Sequence, residues 1–211
     1  AATLTIKTAV AIATQPSNTA GCTAGSASFT VAASSSDLSY QWRVSTNGTT
    51  WSNVSGATSA TLTLNSLTAG MNGYQYQAVV SGASPCSLLT SDVATLTVNT
   101  AVAVSVQPAS TTVCSAANAT FSVTATGTAP TYQWQMSTNG TTWADVSGGT
   151  TATLTVSAVT TSMNGYSYRA VVSGAAPCGS VNSSAAVLTV SQPVAPALAS
   201  TNIDVCSDVA R

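Results

Sequence analysis

Five cysteines carry most of the reactive chemistry in this 211-residue sequence. Cys22, Cys114 and Cys206 recur at intervals of 92 residues, and so do Cys86 and Cys178. Thiols that far apart can oxidise to disulfides, whereas a zinc site draws on close cysteine pairs, which are absent here. The sequence has no His and no Glu, and its acids are Asp37, Asp92, Asp145, Asp204 and Asp208. A serine or threonine nucleophile needs a base to activate it, and acid–base hydrolysis needs two positioned carboxylates. Neither is on offer, so the chain is expected not to be an enzyme. Calcium takes about six to eight oxygen ligands, several of them carboxylates, and one or two Asp per 92 residues cannot supply them. No metal and no cofactor is expected, and Asp204 and Asp208 read as solvated side chains in a strand and turn.

Charge excludes further classes. With 4 Lys+Arg and 5 Asp+Glu, the charged fraction is 4% and the formal net charge is -1, against about 25% charged residues in ordinary soluble domains. Such a chain has no basic face to neutralise phosphates, which excludes nucleic acid as a partner. Hydrophobic residues make up 45%, yet Thr interrupts them repeatedly, as in ATLTLNSL at 60–67. No stretch approaches the roughly 18 apolar residues of a spanning helix, so no membrane span is expected in this segment.

The elements that hold these residues are organised by an internal repeat. An offset of 92 aligns residues 7–98 with 99–190 without a gap, placing Trp42, Trp51, Tyr74 and Tyr76 on Trp134, Trp143, Tyr166 and Tyr168. ATLTI at 2–6 matches ATLTV at 94–98 and AVLTV at 186–190. Residues 1–6 are therefore expected to close a preceding repeat, 7–98 and 99–190 to be complete repeats, and 191–211 to begin a further one, as in an excerpt from a longer protein. The charges do not follow the period: Arg43 aligns with Gln135, Gln77 with Arg169, and Asn53 with Asp145. On that alignment no repeat depends on a charged group at a fixed position.

Within each repeat, apolar residues alternate with polar ones in ASFTV (27–31), YQWRV (40–44), ATLTL (60–64), YQYQAVV (74–80) and ATLTV (94–98). Period 2 puts successive side chains on opposite faces of a half-buried strand. STNGTTW at 45–51 and 137–143 places Asn-Gly between two strands, the pair favoured by a type I′ hairpin turn because both central residues need positive φ. Short strands, frequent turn signals and no helical period predict an all-β sandwich of about seven strands per repeat.

These residues resemble an immunoglobulin-like domain of the kind strung in tandem in giant bacterial surface proteins, in particular the type IX-secreted gliding and cell-surface adhesins of Bacteroidota. In that pattern a core Trp lies beneath a disulfide between strands B and F, and a Tyr stands two residues before the second Cys. Trp42 and Trp134 match the Trp, and Tyr76 and Tyr168 match the Tyr. Ala78 and Ala170 stand where the second Cys would be, and Val31 and Val123 where the first would be. The resemblance thus implies a core filled by Val and Ala in place of the usual disulfide.

It also implies an extracellular, cell-surface location, where disulfides persist, and it leaves two pairings for the cysteines. One joins Cys22 to Cys86 and Cys114 to Cys178 inside each repeat. The other follows from placing Cys22 and Cys86 at opposite ends of a sandwich, on the order of 24 Å apart along a strand, beyond the roughly 7 Å that a disulfide spans between Cα atoms. It joins Cys22 to Cys178 between repeats and leaves Cys86, Cys114 and Cys206 with partners outside the chain.

Two functions remain in view. The first is a structural stalk or shaft segment of a long extracellular adhesin or filament, whose partners are neighbouring repeats of the same chain. The second is a multivalent module for carbohydrate or another surface, with surface polysaccharide as partner, or a subunit that associates laterally with other copies. Trp51 and Trp143 are the candidate surface contacts for binding, and packing over the sheet edge is their alternative role.

Overall fold

The computed structural model describes residues 8–83 and 88–192. Cys86, Cys206, Asp204, Asp208, the expected strand at 1–6 and most of the expected further repeat at 191–211 lie outside the described residues. The chain divides into two compact units, one of Ala1–Ala101 with Ala176–Cys178, the other of Val102–Ala175 with Gly179–Arg211.

The first unit contains β1 (Ala11–Thr14), β2 (Thr19–Cys22), β3 (Ala27–Thr30), β4 (Ala32–Ser34), β5 (Ser39–Ser45), β6 (Ser52–Asn53), β7 (Thr61–Leu64), β8 (Gln75–Ser81), β9 (Leu89–Thr90) and β10 (Ala94–Asn99). One sheet runs β2-β10-β8-β5-β6, with β9 added beside β8. Its β2–β10 pair is parallel and the β10–β8 and β8–β5 pairs are antiparallel. Facing it, β3 pairs with β7 and β1 with β4. Along β8, QYQAVVS, every second residue is buried, which is the pattern of a strand with one face on a core.

The second unit repeats these elements as β11 (Ala103–Val106), β12 (Thr111–Cys114), β13 (Ala119–Ser122), β14 (Thr124–Thr126), β15 (Thr131–Ser137), β16 (Ala144–Asp145), β17 (Thr153–Val156), β18 (Ser167–Ser173), β19 (Ser180–Asn182) and β20 (Ala186–Ser191). The order β12-β20-β18-β15-β16 reproduces that of the first unit. Among the described residues, helix is confined to a single 3₁₀ turn in each unit. Both units are immunoglobulin-like β-sandwiches of about seven strands once the short edge segments are joined to their neighbours.

Aromatic packing fills the space between the sheets. Trp42 is fully buried, and Phe29 lies with its ring centroid 4.9 Å from that of Tyr76 and 6.3 Å from that of Trp42. Phe121, Tyr168 and Trp134 repeat the set at 4.8 and 6.3 Å. Val31, Ala78, Val123 and Ala170 are buried beside them, so aliphatic side chains occupy these core positions. A buried indole N–H needs an acceptor; Trp42 donates to the Ser59 carbonyl and Trp134 to that of Thr151, each at 2.9 Å.

The Asn-Gly loops differ from the expected type I′ turn. Gly48 and Gly140 have positive φ but Asn47 and Asn139 do not, and the ladder between β5 and β6 closes only at Val44 and Ser52. Asn47 works through its side chain: Oδ1 accepts from the backbone N–H of Thr49 (3.0 Å) and Thr50 (2.9 Å), while Ser45 Oγ accepts from Gly48 N–H (2.9 Å). An Asx side chain that gathers backbone donors stabilises a wide loop without entering the left-handed region itself.

Candidate functional site

Two features stand apart from the sandwich cores. The first is the cross-link. Cys22 closes β2, where it pairs in parallel register with Asn99, and its sulfur is bonded to that of Cys178 with Cα atoms 5.3 Å apart. Residues 176–178 belong to the first unit, and the Asn99 side chain, largely buried, donates to the Ala176 carbonyl at 2.8 Å. One covalent bond and one hydrogen bond therefore hold this loop against the ends of β2 and β10. The two bonded cysteines are 156 residues apart in sequence, more than one repeat length. Cys114 is disulfide-bonded as well.

The second feature lies on the outer face of the larger sheet. In the first unit Arg43 of β5 faces Gln77 of β8 on one side and Asn53 of β6 on the other. Its guanidinium Nη2 reaches the Trp51 carbonyl at 3.4 Å. In the second unit Gln135 of β15 faces Arg169 of β18 and Asp145 of β16. The cation has crossed to the neighbouring strand and its glutamine has crossed back. Both units thus keep one guanidinium in one cross-strand pair beside the Trp that follows the hairpin loop, although no charge recurs at a fixed position in the sequence. The register supplies this correspondence, which a same-position alignment misses.

The second of these sites is fully connected. Arg169 Nε donates to Gln135 Oε1 at 2.9 Å, and Gln135 Nε2 donates to Asp145 Oδ1 at 2.8 Å. The Arg169 Cζ sits 4.2 Å from the centroid of the Trp143 ring, within the distance at which a cation is held by the π face. Trp51 and Trp143 are both half-buried. A groove of about 170 Å³ opens beside Trp143, lined by Met136, Ser137, Thr138, Thr142 and Ala144 with the indole. Among the described residues no three His, Cys, Asp or Glu come together in a group that could hold a metal ion, and no helix is long and apolar enough to cross a membrane.

Two immunoglobulin-like sandwiches in tandem, repeated element for element and with a disulfide in the chain, define an immunoglobulin-like repeat protein. The chain belongs to the family described as a domain of unknown function (DUF8696), which it matches over residues 10–100 and 103–192. It is similar to Endoglucanase C of Cellulomonas fimi, with 48% identity over 94 residues, covering 44% of this chain and 8% of that protein. The chain therefore spans less than a tenth of the length of this curated relative. Among solved structures, the I67–I69 fragment of the titin I-band covers 90% of this chain and 68% of its own at 16% identity, with a TM-score of 0.62. The first four immunoglobulin domains of Sidekick-1 cover 88% and 49% at 16% identity, with a TM-score of 0.59. At these identities the likeness is one of fold.

Proposed function

We propose that this chain is a non-catalytic stalk segment of a long extracellular surface protein, an adhesin or filament built from disulfide-linked immunoglobulin-like repeats. The observation that carries the reading is the Cys22–Cys178 bond across 156 residues. Its cysteines recur at the 92-residue period of the repeat, so the same link is available copy after copy. Closing a loop of this length lowers the entropy of the unfolded chain enough to stabilise the fold by about 5 kcal/mol on the chain-entropy estimate. A cell-surface location fits an oxidised cysteine pair, and export by a type IX route in a gliding bacterium is the finer form of the proposal.

Non-reducing digestion at aromatic residues followed by mass spectrometry tests it. The expected product links the Cys22 peptide to the Cys178 peptide. Recovery of Cys22 joined to Cys86 would mean independent repeats on unlinked joints and would overturn the stalk reading.

A second reading is multivalent carbohydrate binding, favoured by a half-buried Trp at the same place in both units and by similarity to a segment of a protein named an endoglucanase. Many weak sites on one chain gain by avidity, so stalk and binder are compatible roles.

A further inference from the structure

We propose that the groove beside Trp143 is a binding subsite for one pyranose ring of a neutral oligosaccharide. The proposal rests on the carbohydrate reading above and gives it a location.

The shape comes first. The groove, of about 170 Å³, is smaller than the roughly 300 Å³ at which drug-sized pockets begin, so it suits a single ring. Met136, Ala144 and the indole give it apolar surface and Thr138 and Thr142 its polar side, while the Ser137 hydroxyl is buried and bonded to Asn139. A sugar ring has this same division, with a patch of C–H bonds on one face and hydroxyls around the rim. Those C–H bonds carry slight positive charge and settle against the negative π face of an indole, as an aromatic edge does.

Charge selects the class of sugar. Arg169 is linked by two hydrogen bonds through Gln135 to Asp145, so a carboxylate already lies near the cation beside the groove. None of these three residues lines the groove. A carboxylated or sulfated sugar would gain little from a cation committed in this way, whereas a neutral sugar has no charge to desolvate.

Preorganisation is the third element. Arg169 stacks on Trp143 at 4.2 Å, and its own orientation is fixed by the bond to Gln135. The indole is held before any ligand arrives, which spares the entropy of immobilising a surface side chain on binding. Arg169 is thus a positioning residue and Trp143 the contact. The first unit carries the same Trp and guanidinium from the opposite strand, but there the guanidinium reaches toward the Trp51 carbonyl.

The test is a titration of the full chain with cellohexaose, followed by the NMR resonance of the Trp143 indole N–H. A saturable shift at millimolar concentration is expected, with no comparable shift from an oligogalacturonate. Read from the backbone amide of Ala144, which lines the groove and is kept in both variants, Trp143→Ala should abolish the response and Trp143→Tyr should retain it. Arg169→Gln should weaken affinity about 2- to 5-fold while leaving the ring in place. No saturable shift up to about 10 mM in a folded chain, corresponding to a free energy near -3 kcal/mol or weaker, overturns the subsite. Sedimentation with insoluble cellulose separates the two levels of failure. If the chain and its Trp143→Ala variant both cosediment, the subsite is wrong while carbohydrate binding stands; if neither does, and no shift is seen, both fall.

Discussion

Tyr76 concentrates much of the core chemistry in one side chain. Its ring stacks on Phe29 and only 2% of its surface is exposed. Burial pushes the phenol up to about 12, with nearby Tyr74 adding to the shift, because a phenolate there would lose hydration. Burial raises Tyr168 in the same direction. An acid whose pKa is higher in the folded state keeps its proton longer when folded than when unfolded. Its contribution is therefore fully present below the ordinary value near 10 and is lost as pH rises from 10 through about 12. Alkaline titration followed by phenolate absorbance, alongside circular dichroism, checks this. Tyr76 and Tyr168 should ionise only above the ordinary phenol value, together with loss of stability. Titration of Tyr76 and Tyr168 near 10 with the fold intact would contradict the burial of the two core phenols. The core was legible in the sequence through its resemblance to the immunoglobulin-like pattern, whose Trp, Tyr and second Cys positions are matched by Trp42, Tyr76 and Ala78, all buried here. The Arg–Gln exchange was not, because pairing across strands depends on register, which no same-position alignment contains.

The hairpin loops show how an element can keep its place while using a different device. Asn-Gly marked the connection between β5 and β6 correctly, since both occur between strands. The sequence does not distinguish an Asn that adopts positive φ from one that caps a wider loop with its side chain, and the deciding partners, Ser45, Thr49 and Thr50, are residues that fit either form. Asn47 Oδ1 also accepts from the Thr50 hydroxyl at 3.0 Å, and Asn139 accepts from Thr142 in the same way. Because Asn47 acts as an acceptor toward these groups, the two replacements separate cleanly. Asn47→Ala should destabilise the first unit by about 1–2 kcal/mol, the worth of a lost turn or cap acceptor. Asn47→Asp should cost little, since a carboxylate accepts from the same N–H groups. Urea denaturation midpoints of the two variants measure the difference; equal losses would mean that the amide N–H₂ matters and that the Asx assignment is wrong. The strands themselves were read closely from the period of 2, and their ends shift by one residue at most positions, as for β5 at 39–45 against 40–44.

For the whole chain, the cysteines change the route that force takes. A load applied at the two termini passes along the chain to Cys22, crosses the sulfur bond and leaves from Cys178, bypassing the stretch between them, a sequence separation of 156. While the bond holds, unfolding of β3 to β18 cannot lengthen the loaded path. The segments under load include β2 and β20, each in a parallel pair with β10 and β12 respectively. Sequence reasoning left two pairings open because both satisfy the repeat, and they differ in the length they lock. A residue of extended chain spans about 3.4 Å, so in a Cys114→Ser variant, which removes the second bonded cysteine, breaking a Cys22–Cys178 bond in the unfolded chain should release on the order of 500 Å in one step. In that variant a bond between Cys22 and Cys86, closing 64 residues, would instead release a step of about 220 Å. Single-molecule extension at constant force, with a thiol reductant added after unfolding, distinguishes them. The long step is expected, and a short step without it would return the repeats to separate beads and remove the covalent basis of the stalk.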